Sequence, residues 1–118
     1  MLNKTILTKV ARVCLILDNP LRDIDGIILL ASELAINNVE VFVVPMYDQS
    51  FDVVALMPDL IVSNCARSDN YEQLSRYKMM GIKVAILDTE GTPSVGPDEF
   101  SLKVKKLNYE KIIDLYCF

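Results

Sequence analysis

The sequence contains no histidine. That absence removes a Ser-His-Asp triad, any imidazole acid or base, and a zinc site built on His ligands. Positive charge is also scarce: 12 Lys and Arg stand against 16 Asp and Glu, a net charge of -4. A nucleic-acid groove needs a positive field, so that class is excluded, and binding of bare phosphate by charge alone is disfavoured. Glycine-rich phosphate cradles are missing as well. Neither GxGxxG nor GxxxxGK[ST] follows the first apolar run, which excludes the usual dinucleotide and P-loop sites. The three cysteines, Cys14, Cys65 and Cys117, are odd in number and form no CxxC. They read as reduced, mostly buried thiols, with a reactive Cys65 at a strand end as the alternative. No apolar run approaches the roughly 20 residues that cross a bilayer, and Met1 to Lys9 is too short an apolar stretch for a signal peptide. A cytoplasmic chain without a membrane span, metal or cofactor is expected.

What is present is a core. A chain of 118 residues that is 52% apolar is long enough for one domain, residues 1–118, without disulfides or metals. Apolar strands alternate with helical patterns along it. Val10 to Leu17 is a nearly continuous apolar run and reads as a buried strand. Asn19 is a good N-cap and Pro20 a good first helical residue. Ile24, Ile27, Ile28, Ala31, Leu34 and Ala35 then recur at helical spacing. Val39 to Val44 is a second strand, Ser50 to Met57 a short helix, and Leu60 to Asn64 a third strand. Asp69 and Glu72 have capping-box spacing before a helix that uses Tyr71, Leu74 and Tyr77, with Gly81 as its left-handed stop. Ile82 to Leu87 is a fourth strand, Pro97 to Leu107 a helical face, and Asp114 to Phe118 a fifth strand.

This alternation predicts right-handed βαβ units and an open, doubly wound, mostly parallel five-stranded sheet of Rossmann or flavodoxin-like type. The expected strand order is 2-1-3-4-5, with helices on both faces. Ligands of such sheets sit beyond the carboxyl ends of the strands, where the chain reverses direction. Three polar groups fall there. Asp18, Asn19 and Arg22 follow the first strand, Asn64 and Arg67 the third, and Asp88, Glu90 and Gly91 the fourth. Asp88 and Glu90 would face the same way on an extended chain and form a candidate acid/base couple. Arg22 opposes the dipole of its helix, which calls for a partner such as Asp18 or a ligand anion. Arg67 has Asp69 and Asp88 within reach. The plain alternative is that Asp18 and Asp88 only mark where strands meet water. Related folds are disfavoured: a receiver domain would want an Asp where the third strand ends in Asn64, and a flavodoxin would want a Ser/Thr/Gly-rich loop where Asn19-Pro20-Leu21-Arg22 stands.

Three segments carry a family resemblance: Asn19 to Ala31 (NPLRDIDGIILLA), Ser63 to Arg67 (SNCAR) and Gly81 to Gly91 (GIKVAILDTEG). With Ile113 to Phe118 (IDLYCF), they make nearly the whole chain similar to the N-terminal Rossmann-like part of bacterial surface carbohydrate (polysaccharide) biosynthesis proteins. Those proteins are glycosyltransferase-like, with the two-domain GT-B plan. Where that family continues with a second Gly, this chain has Thr92. The resemblance implies an acceptor-side domain for capsule or lipopolysaccharide sugars, with little transferase activity alone. No helix follows the last strand at Leu115-Tyr116-Cys117-Phe118, so a missing C-terminal domain or a homodimer partner that covers it is expected, with a folded monomer whose last element differs as the alternative. Asp18, Asn19, Arg22, Asn64, Arg67, Asp88, Glu90 and Gly91 would then face the cleft. Arg22 and Arg67 would meet an acidic sugar or a phosphate, and Asp88 or Glu90 would activate an acceptor hydroxyl. A non-catalytic domain that binds a small metabolite or a protein through the same rim is the alternative.

Overall fold

The computed structural model describes residues 10–88 and 111–117. The element order is β1 (Arg12–Leu17), α1 (Pro20–Ile36), β2 (Glu40–Pro45), α2 (Gln49–Leu56), β3 (Leu60–Ser63), α3 (Tyr71–Met79), β4 (Lys83–Leu87) and β5 (Leu115–Cys117). Short 3₁₀ turns at Met46–Asp48 and Ser68–Asn70 lead into α2 and α3. The five strands form one sheet in the order β2-β1-β3-β4-β5, and every pairing is parallel. The expected Rossmann-like α/β architecture is therefore present. The expected helix of residues 97–107 lies outside the described residues, as do Glu90 and Gly91.

Strand alternation divides the core in two. Val13 and Leu15 face α1 and pack against Ile27, with Leu30, Ala31 and Leu34 around them. Cys14, Ile16, Ile61, Val84 and Ile86 face the other way, against Val53 of α2 and Leu74 and Tyr77 of α3. The central strands are buried on both faces, which is why they read as continuous apolar runs. Inside the second cluster the Tyr77 hydroxyl donates to Gln49 Oε1 at 3.1 Å, so both buried polar groups have a partner.

The helix ends follow their sequence signals in two cases out of three. Asn19 caps α1 in an extended conformation, and its Oδ1 accepts from the N–H groups of Leu21 and Arg22. Gly81 takes φ +85 just past α3. The third signal is corrected. Asp69 does not open a capping box: it sits in the 3₁₀ turn, and Asn70 is the residue before α3. Asn70 spends its side chain on that turn, accepting from Arg67 N–H at 2.8 Å and donating to Cys65 C=O at 2.7 Å. The inward stripe of α1 matches the expected one at Ile27, Ala31 and Leu34 and differs at its edges: Asp23 and Leu30 also turn inward, while Ile28 and Ala35 are exposed.

Candidate functional site

In the observed order the chain winds outward in opposite directions from β1, to β2 on one side and to β3 on the other. The crevice of such a sheet lies beyond the carboxyl ends of β1 and β3. Asp18 follows β1 directly and Asn64 follows β3 directly. Their side chains meet there: Asn64 Nδ2 donates to Asp18 Oδ2 at 3.2 Å, across 46 residues of sequence. Asn64 is buried, so this contact is part of the floor of the rim rather than a surface accident.

The first turn of α1 supplies the next layer. Arg22 lays its guanidinium fork on Asp23, with Nε to Oδ1 at 2.7 Å and Nη2 to Oδ2 at 2.9 Å. Nη2 also reaches Asp18 Oδ2 at 3.5 Å. The Arg22 hydrogen bond holds the Asp23 carboxyl below the usual carboxylate range against the opposing effect of burial, helped by the Asn19 N–H. The partner that Arg22 needs at a helix start is thus mainly Asp23, with Asp18 second. Asp23 was not singled out by sequence reasoning. Its signal was present: a carboxylate four residues before Ile27, on the inward face of an amphipathic helix.

Beside this layer an open cleft of about 280 Å³ is lined by Arg22, Asp23, Gly26, Ile27 and Leu87. A narrow extension below it is lined by Ile16, Val62, Ser63 and Asn64 together with Ile27 and Leu87. Gly26 lines this cleft from within a helix, where glycine costs about 0.5–1 kcal/mol relative to alanine. No packing constraint demands it, because a Cβ there would meet no atom within 4 Å. Its effect is to leave the cleft wall low.

The other sheet face carries the rest of the rim. Asp88 follows β4, and its Oδ2 accepts from the Tyr116 hydroxyl at 3.2 Å. Cys65 follows Asn64; its thiol is pushed up by burial and by the charges of Asp69, Asp88 and Asp18, while Arg67 opposes them. The Tyr116 phenol is raised by burial and by Asp88, again opposed by Arg67. These couplings gather Asp18, Cys65, Arg67, Asp88 and Tyr116 around one edge. A raised thiol is less ionised at neutral pH than an ordinary one, which argues against a specially activated Cys65. Tyr116 is the second residue that sequence reasoning missed.

Of the eight expected site residues, Asp18, Asn19, Arg22, Asn64, Arg67 and Asp88 stand on the carboxyl edge of the sheet. Asn19 works there as the helix cap. The acid/base couple is represented by Asp88 alone, since Glu90 lies outside the described residues. Among the described residues no group of three or more potential ligands could hold a metal ion, and no helix is long and apolar enough to cross a membrane. No protein-family model, no curated protein and no solved structure matches the chain.

Proposed function

We propose that the carboxyl edge of the sheet binds an uncharged, hydroxyl-rich ligand, and that the chain serves as the acceptor-sugar side of a glycosyltransferase-like assembly. The observation that carries this reading is the Asn64–Asp18 contact at the chain reversal, beside an open cleft. A carboxylate and an amide side by side offer acceptors and a donor at the spacing of neighbouring sugar hydroxyls. The choice of an uncharged ligand rests on charge. The fork of Arg22 lies on Asp23, with Asp18 close by. Among the described residues, two carboxylates around one guanidinium leave this part of the rim net negative, which repels phosphate and acidic sugars. That departs from the anion-binding role expected for Arg22 from family resemblance.

Within this reading Asp88 is the group that accepts the proton of an acceptor hydroxyl, as general-base catalysis requires. The oxygen then attacks the anomeric carbon of the donor, and the nucleoside diphosphate leaves. The donor would be held by a second domain or a partner in the GT-B manner, so the chain alone would bind without transferring. The synthesis of bacterial surface polysaccharide in the cytoplasm is the setting that the resemblance of the GIKVAILDTEG segment suggests.

The test is a titration of the whole isotope-labelled chain with the methyl glycosides of glucose, galactose and N-acetylglucosamine, and with glucuronate. The neutral glycosides should shift the amides of Asp18, Gly26, Asn64 and Leu87, and the Gly26→Leu variant should lose those shifts. Gly26→Ala should keep them and fold more stably. Shifts confined to residues away from this edge, or a preference for glucuronate, would overturn the reading.

A further inference from the structure

Among the described residues β5 spans Leu115–Cys117 and pairs with β4 alone. Three residues of ladder specify register weakly, and a slip of one residue would turn every side chain to the opposite face. The register is held from just outside the strand. Asp114 donates its N–H to Val84 C=O at 2.7 Å, and its Oδ2 accepts from Val84 N–H at 2.8 Å. Lys78, in the last turn of α3, grips the same carboxylate, with Nζ at 2.5 Å from Oδ1 and 2.6 Å from Oδ2. With Val84 fixed in this way, Ile86 stands beside Tyr116 and Leu87 beside Cys117. Tyr116 then lies on the face it shares with Ile86 and with Asp88, two residues further on. Its ring packs against the core cluster, and its hydroxyl reaches Asp88 Oδ2 at 3.2 Å.

We propose that Tyr116 is the positioning residue for Asp88, and that the Asp114–Lys78 ion pair at the other end of β5 sets that position. Ligand affinity at the rim therefore depends on an ion pair that touches no ligand. This deepens, and rests on, the reading of the rim as a sugar site. The chemistry is simple. The phenol is held protonated by burial and by the Asp88 charge, so it stays a donor and fixes one oxygen of the carboxylate. Lys78 and Asp114 act through the backbone, because Val84, which Asp114 anchors, lies on β4, and Asp88 directly follows that strand.

The experiment compares Tyr116→Phe, Lys78→Met and the unaltered chain by carbon NMR of the Tyr116 ring and the Asp88 carboxyl, with amide exchange of β5. Tyr116→Phe should move the Asp88 carboxyl resonance and leave β5 amide exchange unchanged. Lys78→Met should move both the Tyr116 ζ-carbon and the Asp88 carboxyl resonances, and should speed exchange at Tyr116 and Cys117. Each variant should weaken binding of the methyl glycoside that binds best by about fivefold, the equivalent of one hydrogen bond. Asp114→Asn, which keeps an acceptor for Val84 N–H, serves if Lys78→Met fails to fold. Resonances of Tyr116 and Asp88 unmoved by the loss of the ion pair would overturn the proposal. If no glycoside binds the unaltered chain, the sugar reading fails, and the resonances still decide whether Tyr116 positions Asp88.

Discussion

Replacing Asn64 by Asp is the most direct probe of the contact that joins β1 to β3 at the rim. The change alters one atom of shape and reverses the electrostatics. In the native chain Asn64 Nδ2 donates to the Asp18 carboxylate at 3.2 Å. A hydrogen bond to a charged group contributes about 1.5–3 kcal/mol, and Asn64→Asp removes it. It also sets a second carboxylate against the first. Two unit charges about 4 Å apart repel by about 4 kcal/mol at an effective dielectric of about 20. The Asp18 side chain is 21% exposed and has Arg22 at 3.5 Å, so roughly 1–2 kcal/mol of that should survive screening. The sum is a loss of about 2.5–5 kcal/mol for Asn64→Asp at pH 7, against about 1.5–3 kcal/mol for Asn64→Ala, which loses the bond without adding a charge. Urea unfolding of both variants at pH 7 and pH 4.5 separates the two parts. Neighbouring carboxyl groups share a proton in acid, so the gap between the variants should close as pH falls. Equal stabilities at pH 7, or a gap that widens in acid, would refute the placement of Asn64 against Asp18.

Two further outcomes test the packing behind the rim. The Tyr77 phenol is pushed up to about 12 from its ordinary 10, by burial first and by Cys14 second. The folded chain therefore holds this proton longer than the unfolded chain. The associated stability is complete below pH 10 and is lost as pH rises toward 12. Tyr77→Phe should flatten that alkaline loss, while costing about 1–3 kcal/mol at pH 7 because Gln49 Oε1 loses its donor; a variant with an unchanged alkaline slope would contradict the assignment. Cys14 is fully buried, and burial pushes its thiol up to about 11 with Arg12 opposing. A disulfide reagent at pH 8 should label the half-buried Cys65 and Cys117 well before Cys14, with Cys14 reacting only on unfolding; equal rates for all three thiols would count against the β1 packing.

The order of the strands was legible because each signal was local and strong. The apolar run ending at Leu17 marks a strand, although β1 begins only at Arg12 and leaves Val10 and Ala11 exposed, and Asn19-Pro20 leaves little choice of helix start. The inward face of α1 was less legible. Hydropathy gives the stripe as Ile24, Ile27, Ile28, Ala31, Leu34 and Ala35. The structure keeps Ile27, Ala31 and Leu34 on the inward face but adds Asp23 and Leu30 and leaves Ile28 and Ala35 exposed; Asp23 can be buried because Arg22 and the Asn19 N–H satisfy it. A hydrophobic scale scores that aspartate as an outward residue and so shifts one edge of the face. Asp69 misled for a related reason: its spacing to Glu72 fits a box, but Asn70 has an amide that can both accept and donate, and the turn uses both functions.

The candidate site divides in the same way. That Asp18, Asn64 and Asp88 share an edge follows from parallel strands in the order observed, and needs only the strand ends. Which partners they take does not follow. Arg22 has Asp18, Asp23 and Asp25 within one helical turn, and the fold sets its fork on Asp23, with Asp18 second. Tyr116 is harder still, because its place beside Asp88 depends on the register of a three-residue strand that sequence does not fix. The residue just before that strand, Asp114, is bonded to Val84 and to Lys78 on a different element, thirty-six residues away. Local patterning therefore determines where this chain can build a site. Under the positioning role proposed for the Lys78–Asp114 ion pair, substitutions at Lys78 should alter binding at the rim more than their distance from it suggests.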